Sequence, residues 1–395
     1  MSDASRIERG TPAFRRTTLA LFSAGFSTFA LMYCVQPLLP ELATTFGVSA
    51  TASSLAISLT TGTLSLTLLV GGSLTERVPR KALMVSSLVL TAMLTIVSTA
   101  ATSWTAYLLT RALAGVAFAG LPAIAMAYVV EEMSPRAAAF GMGLYVAGTA
   151  VGGMSGRLFA ALLTDVAGWH AAIGATGALG LGAAALVMTL LPAATHMRPS
   201  TLPPAALLGA YRTHLGDPQI RVLLAQGFLF MGVFIAVFNY LTFRLVDAPY
   251  LLGHTAIGSI FLVYLVGMVS SPWAGHISGS FGRRKTLTLG IVFILAGAAL
   301  TLAASLAAVI VGLALLTFGF FAAHAVTSAW IGHRARGRHT AQASSLYIVC
   351  YYIGASVTGT VAGAFFTRFG WTGVVAFTVA QTGAALGLLR SLESE

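Results

Sequence analysis

The chain has 395 residues, of which 57% are hydrophobic and only 8% are charged, and its formal net charge is +11. Soluble proteins carry about 25% charged residues, so this composition excludes a chain that faces water on every side. The basic residues form small clusters between apolar stretches instead of one continuous face, which argues against a nucleic-acid-binding protein. Cys34 and Cys350 lie inside apolar stretches and do not indicate a disulfide framework.

The apolar stretches predict an all-α membrane protein with twelve transmembrane helices, since each spanning helix needs about 20 apolar residues. The first stretch follows Arg15 and Arg16, but it is too long for the core of a signal peptide and no small-residue cleavage site follows it. We therefore interpret it as a retained helix. The predicted spans are 17–39, 52–75, 82–101, 104–128, 137–164, 170–191, 219–246, 255–278, 286–304, 306–330, 341–367 and 371–390.

The basic residues predict the orientation of the chain in the membrane. Most of the 22 lysines and arginines lie on one side of the predicted spans if the N-terminus is cytoplasmic. Positive residues favour the cytoplasmic side, and an even number of spans returns the C-terminus to that side. The prediction is a multi-pass protein of the bacterial inner membrane with both termini in the cytoplasm.

Two passages of the sequence occur twice and indicate an internal duplication. Gly72-Ser73-Leu74-Thr75-Glu76-Arg77-Val78-Pro79-Arg80-Lys81 returns about half a chain later as Gly275-His276-Ile277-Ser278-Gly279-Ser280-Phe281-Gly282-Arg283-Arg284-Lys285. Gly152…Gly168-Trp169 is matched by Gly354…Gly370-Trp371 at nearly the same separation. The proline-rich stretch between the copies is too short for a folded domain and predicts a linker with one amphipathic turn. The predicted organisation is a six-helix bundle over 1–192, a cytoplasmic linker over 193–218 and a second six-helix bundle over 219–395.

These motifs resemble those of the major facilitator superfamily along essentially the whole chain. The passage from Gly72 is similar to the family's G-x-L-x-D-R-x-G-R-K loop, with Glu76 at the acidic position and Pro79 at the second glycine position. Arg111-x-x-x-Gly115 resembles the R-x-x-x-G pattern. Gly148-x-x-x-Gly152-Gly153-x-x-Gly156-Arg157 is similar to the glycine-rich antiporter motif, without the proline that usually follows a glycine. Together with Tyr33-x-x-Gln36-Pro37, these residues resemble the YnfM-type branch, which is grouped with drug and arabinose-efflux permeases.

The resemblance implies proton-coupled export of a small organic or drug-like compound by alternating access between two pseudo-symmetric bundles. The implied partners are a small-molecule substrate, protons and the lipid bilayer, and the chain is expected to be a monomer. The loop residues are expected to form a conformational latch, or else to serve topology alone: Gly72, Glu76, Arg77, Arg80 and Lys81, with Gly275, Arg283 and Arg284 in the second copy. Gly148, Gly152, Gly153 and Gly156 are expected to allow close helix packing.

Two arginines are the sharpest candidates for substrate binding. Arg111 lies roughly 12 Å from the outer end of its span at 1.5 Å per residue, and Arg157 has a similar depth. An arginine near the middle of a membrane costs about 2.5–3.5 kcal/mol, so each needs a polar partner. The partner is either an anionic or polar group of the substrate, or backbone carbonyls and amides such as that of Gln36.

Proton coupling requires a titratable group, and the first predicted helix contains no acid. The candidates are His324, Glu131 or Glu132, and Asp165. Histidine can also be a packing residue, and the glutamates can cap a helix or pair with Arg136. The resemblance implies a substrate cavity on the first, fourth, seventh and tenth helices, where the sequence places aromatic and polar side chains: Tyr33, Gln36, Tyr128, Phe238, Asn239, Tyr240, Phe321 and His324.

Other functional classes have little support in the sequence. It contains no P-loop, no nucleophile–base arrangement and no histidine pair at metal-binding spacing, so we expect neither an enzyme nor a metal site, and no cofactor besides the proton gradient. The alternative within transport is an organic-anion or metabolite carrier that binds its substrate through Arg111 and Arg157. The alternative of another class is a transport-inactive sensor or lipid-handling membrane protein, against which the absence of a large soluble domain argues.

Overall fold

The computed structural model describes residues 6–71, 78–196, 204–336 and 339–392. Across these ranges the chain is predominantly α-helical, and a single parallel bridge between Ile7 and Met133 is the only strand-like pairing. Gly72, Glu76 and Arg77 of the predicted latch lie outside the described residues. The chain forms two compact units, Met1–Leu38 with Leu66–Thr201 and Leu39–Ser65 with Leu202–Glu395.

The first unit contains helix α1 (Pro12–Tyr33), whose start is fixed by a side-chain cap. The hydroxyl oxygen of Thr11 accepts a hydrogen bond from the Phe14 amide at 3.1 Å, and proline occupies the first helical position. A 3-10 turn over Gln36–Leu38 follows α1. The helices of this unit are α1 (Pro12–Tyr33), α4 (Arg80–Ser98), α5 (Trp104–Phe118), α6 (Gly120–Glu132) and α7 (Pro135–Leu190).

The second unit contains the remaining helices. It includes the part of α3 (Ala50–Gly71) that ends at Ser65. A 3-10 turn over Phe261–Tyr264 joins two of its helices. These helices are α2 (Leu39–Phe46), α3 (Ala50–Gly71), α8 (Pro204–Gly216), α9 (Pro218–Val246), α10 (His254–Ile260), α11 (Leu265–Phe281), α12 (Arg283–Leu300), α13 (Leu306–Arg334) and α14 (Thr340–Leu389). Helix α8 is longer than the single amphipathic turn that the sequence predicts for the linker. The predicted bundle boundaries stay a prediction.

The described residues contain nine helical segments that are long and apolar enough to cross a membrane. Two of them are interrupted by a glycine with a positive φ, which is 79° at Gly168 in α7 and 60° at Gly370 in α14. A positive φ breaks the helix at that residue, so each of these two segments provides two spans. Glycine occupies the break because it adopts this backbone conformation without a Cβ clash. With the 18-residue α12, the spans agree with the twelve predicted, and the all-α fold class is confirmed. Large apolar side chains are exposed on the helices, as Val166 (85%) and Val269 (67%) are, which is expected where hydrocarbon replaces water.

Glycines allow the backbones of α1 and α7 to approach closely. A Cβ added at Gly152 would overlap the backbone of Phe26, and one added at Gly148 would overlap the backbone of Phe22. In the second unit, a Cβ at Gly354 would overlap the carbonyl of Phe228 on α9. Gly354 follows Gly152 by the same number of residues as Phe228 follows Phe26. The repeated passages therefore occupy equivalent helix crossings in the two units.

Candidate substrate and proton-coupling site

Arg157 of α7 lies in a buried cluster with Tyr33 and Gln36. Its Nε donates a hydrogen bond to the Gln36 side-chain oxygen at 2.7 Å, and its Nη1 donates to the carbonyl of Gly153. Its guanidinium carbon lies 4.3 Å from the centre of the Tyr33 ring. The arginine is only 2% exposed. The structure thus brings three of the predicted site residues together at the end of α1.

Arg111 of α5 reaches the same end of α1. Its Nη2 donates to the carbonyl oxygen of Met32 at 2.9 Å, and the side chain is 1% exposed. The last carbonyls of a helix have no partner within the helix and form its negative end, so a guanidinium is stabilised there. Of the two kinds of partner that the sequence allowed for the arginines, these contacts are of the second kind, backbone carbonyls and the Gln36 amide.

The predicted latch residue Arg80 and the predicted coupling residue Glu131 form one ion pair. Arg80 Nη2 lies 3.1 Å from Glu131 Oε1, and Arg80 Nε donates to Oε2 at 3.4 Å. Their side chains are 7% and 15% exposed. Arg80 begins α4 and Glu131 is close to the end of α6, so the pair joins the repeated loop to the fourth predicted span. The neighbouring Lys81 is half-buried.

The adjacent Glu132 has a different role that the sequence did not reveal. Its carboxylate accepts hydrogen bonds from the Thr195 amide at 2.7 Å and the Thr195 hydroxyl at 3.0 Å. It also lies 3.0 Å from Nδ1 of His196 and is 3% exposed. The carbonyl of the same residue accepts from the Ile7 amide at 2.8 Å. Glu132 therefore ties the chain that follows α7 and the N-terminal segment to the end of α6.

The second copy of the repeated loop makes different contacts. Arg284 donates to the carbonyl oxygens of Leu392 at 3.5 Å and Arg390 at 3.4 Å. Arg283, like Arg284, is half-buried, and Gly275 is exposed with no atom within 4 Å of an added Cβ. In the second copy the first turn of α12 therefore contacts backbone carbonyls just after α14, whereas in the first copy Arg80 contacts a carboxylate.

His324 of α13 lies among aromatic rings in the second unit. Its Nδ1 is 2.8 Å from the hydroxyl oxygen of Tyr347, and its ring centre is 4.9 Å from that of Tyr351. Asn239 of α9 is fully buried in the same unit. The structure therefore groups Tyr33, Gln36, Arg111 and Arg157 at the end of α1, and it places His324 and Asn239 in the second unit.

The rings around His324 belong to a larger set, which we call the aromatic cluster. Phe234 and Phe320 stack with ring centres 4.0 Å apart, and Phe238 meets Tyr264 edge to face at 5.0 Å. Such pairs contribute about 0.5–1.5 kcal/mol each beyond the area they bury. The cluster consists of Phe234, Phe238, Phe261, Tyr264, Phe320, Phe321, His324, Tyr347 and Tyr351.

Only part of the aromatic cluster could be read from the sequence. Phe238 and Phe321 were predicted to line the cavity, whereas Tyr347 and Tyr351 were missed. Their spacing of one helical turn, on a helix near His324 in the fold, is the signal that was available. Two other predicted lining residues are used internally: the Tyr128 hydroxyl donates to the Pro192 carbonyl at 3.1 Å, and the Tyr240 hydroxyl donates to the Gly359 carbonyl at 2.9 Å.

Asp217, the residue before α9, holds another ion pair outside the spans. Its Oδ1 accepts from the Gln219 amide at 2.9 Å, and its Oδ2 accepts from Arg334 Nε at 3.3 Å. Burial alone would raise the pKa of Asp217, but these hydrogen bonds, with one from the Ile220 amide, outweigh it and lower the pKa below its ordinary value.

Among the described residues, no group of His, Cys, Asp and Glu side chains could hold a metal ion. The long apolar helices, with charged and polar side chains buried among them, define a multi-pass membrane protein. The chain belongs to the Major Facilitator Superfamily, whose model matches residues 21–270 and 246–393. Proteins of this family move solutes across membranes and are not enzymes.

Relatives and solved structures agree with this assignment. The chain is 43% identical over 371 residues to the inner membrane transport protein YnfM of Escherichia coli, covering 94% of this chain and 89% of that protein. It is 42% identical over 369 residues to the MFS-type transporter YybF of Bacillus subtilis, covering 93% and 91%. Among solved structures, a bacterial homologue of the human lysosomal transporter Spinster has a TM-score of 0.82 at 16% identity, with 96% and 97% of the two chains covered. That likeness shows the fold alone.

Proposed function

We propose that this transporter exports a small organic compound in exchange for protons by alternating access between its two bundles. The observation that carries the proposal is His324, a titratable side chain in the middle of α13 that is partly exposed and lies among aromatic rings. A site that binds both a proton and an organic molecule needs a titratable group beside an apolar surface. The similarity to YnfM supports a location in the inner membrane, and we propose that both termini are cytoplasmic and that the chain works as a monomer.

Arg80 and Glu131 are proposed to act as a latch on the cytoplasmic side. The pair connects the loop after the second span to the end of the fourth, and both side chains are mostly buried. Removing one member of a buried pair leaves the other charge without its partner. Opening and closing of that side would therefore be sensitive to this contact.

The second candidate function is an organic-anion carrier that uses Arg111 and Arg157. The depth of both arginines favours it. Their contacts with Met32, Gln36, Gly153 and Tyr33 favour the export proposal instead, because these groups already stabilise the guanidinium charges. A sensor or lipid-handling protein is the remaining alternative.

The test is the internal pH of proteoliposomes after addition of neutral, cationic or anionic aromatic compounds. We expect wild type to move protons on addition of a neutral or cationic compound and His324→Ala to lose most of this response. His333→Ala, at the end of the same helix, is the matched control and should retain it. A response to anions alone that Arg111→Ala abolishes would establish the anion carrier, and no response in any arm would contradict transport of these compounds.

A further inference from the structure

The aromatic cluster has a buried layer and a partly exposed layer. Phe234, Phe320 and Tyr347 are at most 4% exposed, whereas Tyr264, Phe321, His324 and Tyr351 keep part of their surface exposed. The exposed rings rest on the buried ones, with Phe321 5.1 Å from Phe320 and Tyr351 6.4 Å from it. Rings that are supported from behind lose little freedom when a ligand contacts them, which favours binding.

The polar groups of this layer are the His324 ring and the hydroxyls of Tyr264 and Tyr351, none of which carries a formal charge. The Nδ1 atom of His324 is engaged with the Tyr347 hydroxyl, so its Nε2 is the ring atom that can exchange a hydrogen bond with a ligand. The formally charged side chains of α9, α13 and α14 are Arg221, Arg244, Arg334 and Arg368, all near the ends of their spans. Helix α11 contains none.

When His324 is neutral, the state in which an exporter that exchanges protons binds its cargo, this arrangement selects against charged ligands. A ring face attracts a cation, but that attraction is weaker than the cost of bringing a charge without a counter-ion into the middle of a membrane. An anion meets the negative faces of the rings and gains nothing from them. An uncharged aromatic molecule stacks without either penalty.

We propose that Tyr264, Phe321, His324 and Tyr351 bind an uncharged aromatic compound, whose ring stacks on Phe321 and Tyr351 and whose polar group exchanges a hydrogen bond with His324 Nε2. This inference names the substrate class of the proposed exporter. It rests on the proposed function in one respect: that the bound compound is the one transported. Binding itself is measurable without transport.

The experiment measures binding to the full-length protein in lipid nanodiscs by equilibrium dialysis, with empty nanodiscs subtracted. The probes share one bicyclic ten-carbon frame with one substituent, which is planar and aromatic in all but the second: naphthalene-2-carboxamide, its saturated decahydro analogue, naphthalene-2-carboxylate and 2-naphthylmethylammonium. We expect saturable binding of the amide. The dissociation constants of the other three probes should be at least about ten times larger. Absence of saturable amide binding, or equal binding of either ion, would overturn the proposal.

Two variants and a matched control locate the site. Tyr351→Leu should weaken amide binding about tenfold, the scale of a lost binding contact, whereas Tyr351→Phe keeps the ring and should stay within about twofold. Phe318→Leu is the control, because Phe318 lies on the same helix as His324 but packs against Trp273 and Phe293. If Phe318→Leu weakens binding as much as Tyr351→Leu does, the site is not at these residues.

The outcome separates this inference from the proposed function. Amide binding without proton movement in proteoliposomes would leave the site in place and contradict proton-coupled export. Proton movement with another compound, together with no amide binding, would leave export in place and overturn the aromatic substrate class.

Discussion

The guanidinium carbon of Arg157 lies 4.3 Å from the centre of the Tyr33 ring, while its Nε donates to Gln36. This contact places a cation over an aromatic face at the end of α1 and gives the arginine a partner inside the membrane. The ring contact and the hydrogen bonds to Gln36 and Gly153 together explain how the charge of Arg157 is accommodated at this depth.

Replacement of Tyr33 should separate the contribution of its ring from that of its hydroxyl. We expect Tyr33→Leu to lower the free energy of unfolding by about 0.5–2 kcal/mol, because the cation–π contact is lost. Tyr33→Phe retains the ring and should cost much less. Thermal unfolding of the purified variants measures the difference, and equal losses in both would show that the ring face contributes nothing.

Replacement of Gly152 should disrupt the crossing of α1 and α7. Gly152→Ala places a methyl group where the backbone of Phe26 lies, and we expect a loss of about 1–3 kcal/mol, the usual cost of overpacking. Gly182→Ala, in the second span of α7 with no atom within 4 Å of the added Cβ, is the control and should melt at or above the wild-type temperature. A Gly152→Ala protein as stable as this control would contradict the close approach.

Breaking the Arg80–Glu131 pair should slow transport. Arg80→Gln and Glu131→Gln each leave a mostly buried charge without its partner, which lowers the free energy of unfolding by about 3–5 kcal/mol, and the exchanged pair Arg80→Glu/Glu131→Arg should recover part of the loss. Substrate-driven pH change in proteoliposomes gives the rates. Arg136→Gln, at an exposed arginine five residues after Glu131, should behave as wild type. If the exchanged pair is no better than the worse single variant, the pair does not act as a unit.

The stability contribution of Asp217 should disappear in acid. Its pKa is lowered in the folded protein, so the contribution is present above the ordinary aspartate value, about 4, and is lost as the pH falls through the lowered pKa. We expect Asp217→Ala to cost about 0.5–2 kcal/mol at pH 7 through loss of the helix cap. Asp217→Asn keeps the cap and should cost less. Melting temperatures measured from pH 7 to pH 3 should show the gap between wild type and Asp217→Asn narrowing below about pH 4; a gap that stays constant over the whole range would assign the effect to something other than the carboxylate's charge.

The sequence predicted local features of the site better than its contacts. The depth of Arg111 and Arg157 and the apolar surroundings of His324 follow from position within a span. The pairing of Arg80 with Glu131 does not, because Arg136 is equally available to Glu131 in the sequence. The contacts of Glu132 with Thr195 and His196 could not be predicted either, because these partners follow α7 and are far from Glu132 in the sequence.

What the sequence determined by itself is the membrane class, the helix number and the family, because these depend on the length of apolar stretches, the placement of basic residues and short motifs that act locally. Only the tertiary structure decided which residues meet. The rings of Phe234, Tyr264, Phe320 and Tyr351 come from separate helices, and no pattern within one helix encodes a contact with another. In the second unit, Gly354 lets α14 approach α9 closely, and packing of this kind between helices sets the distances between side chains that different helices supply.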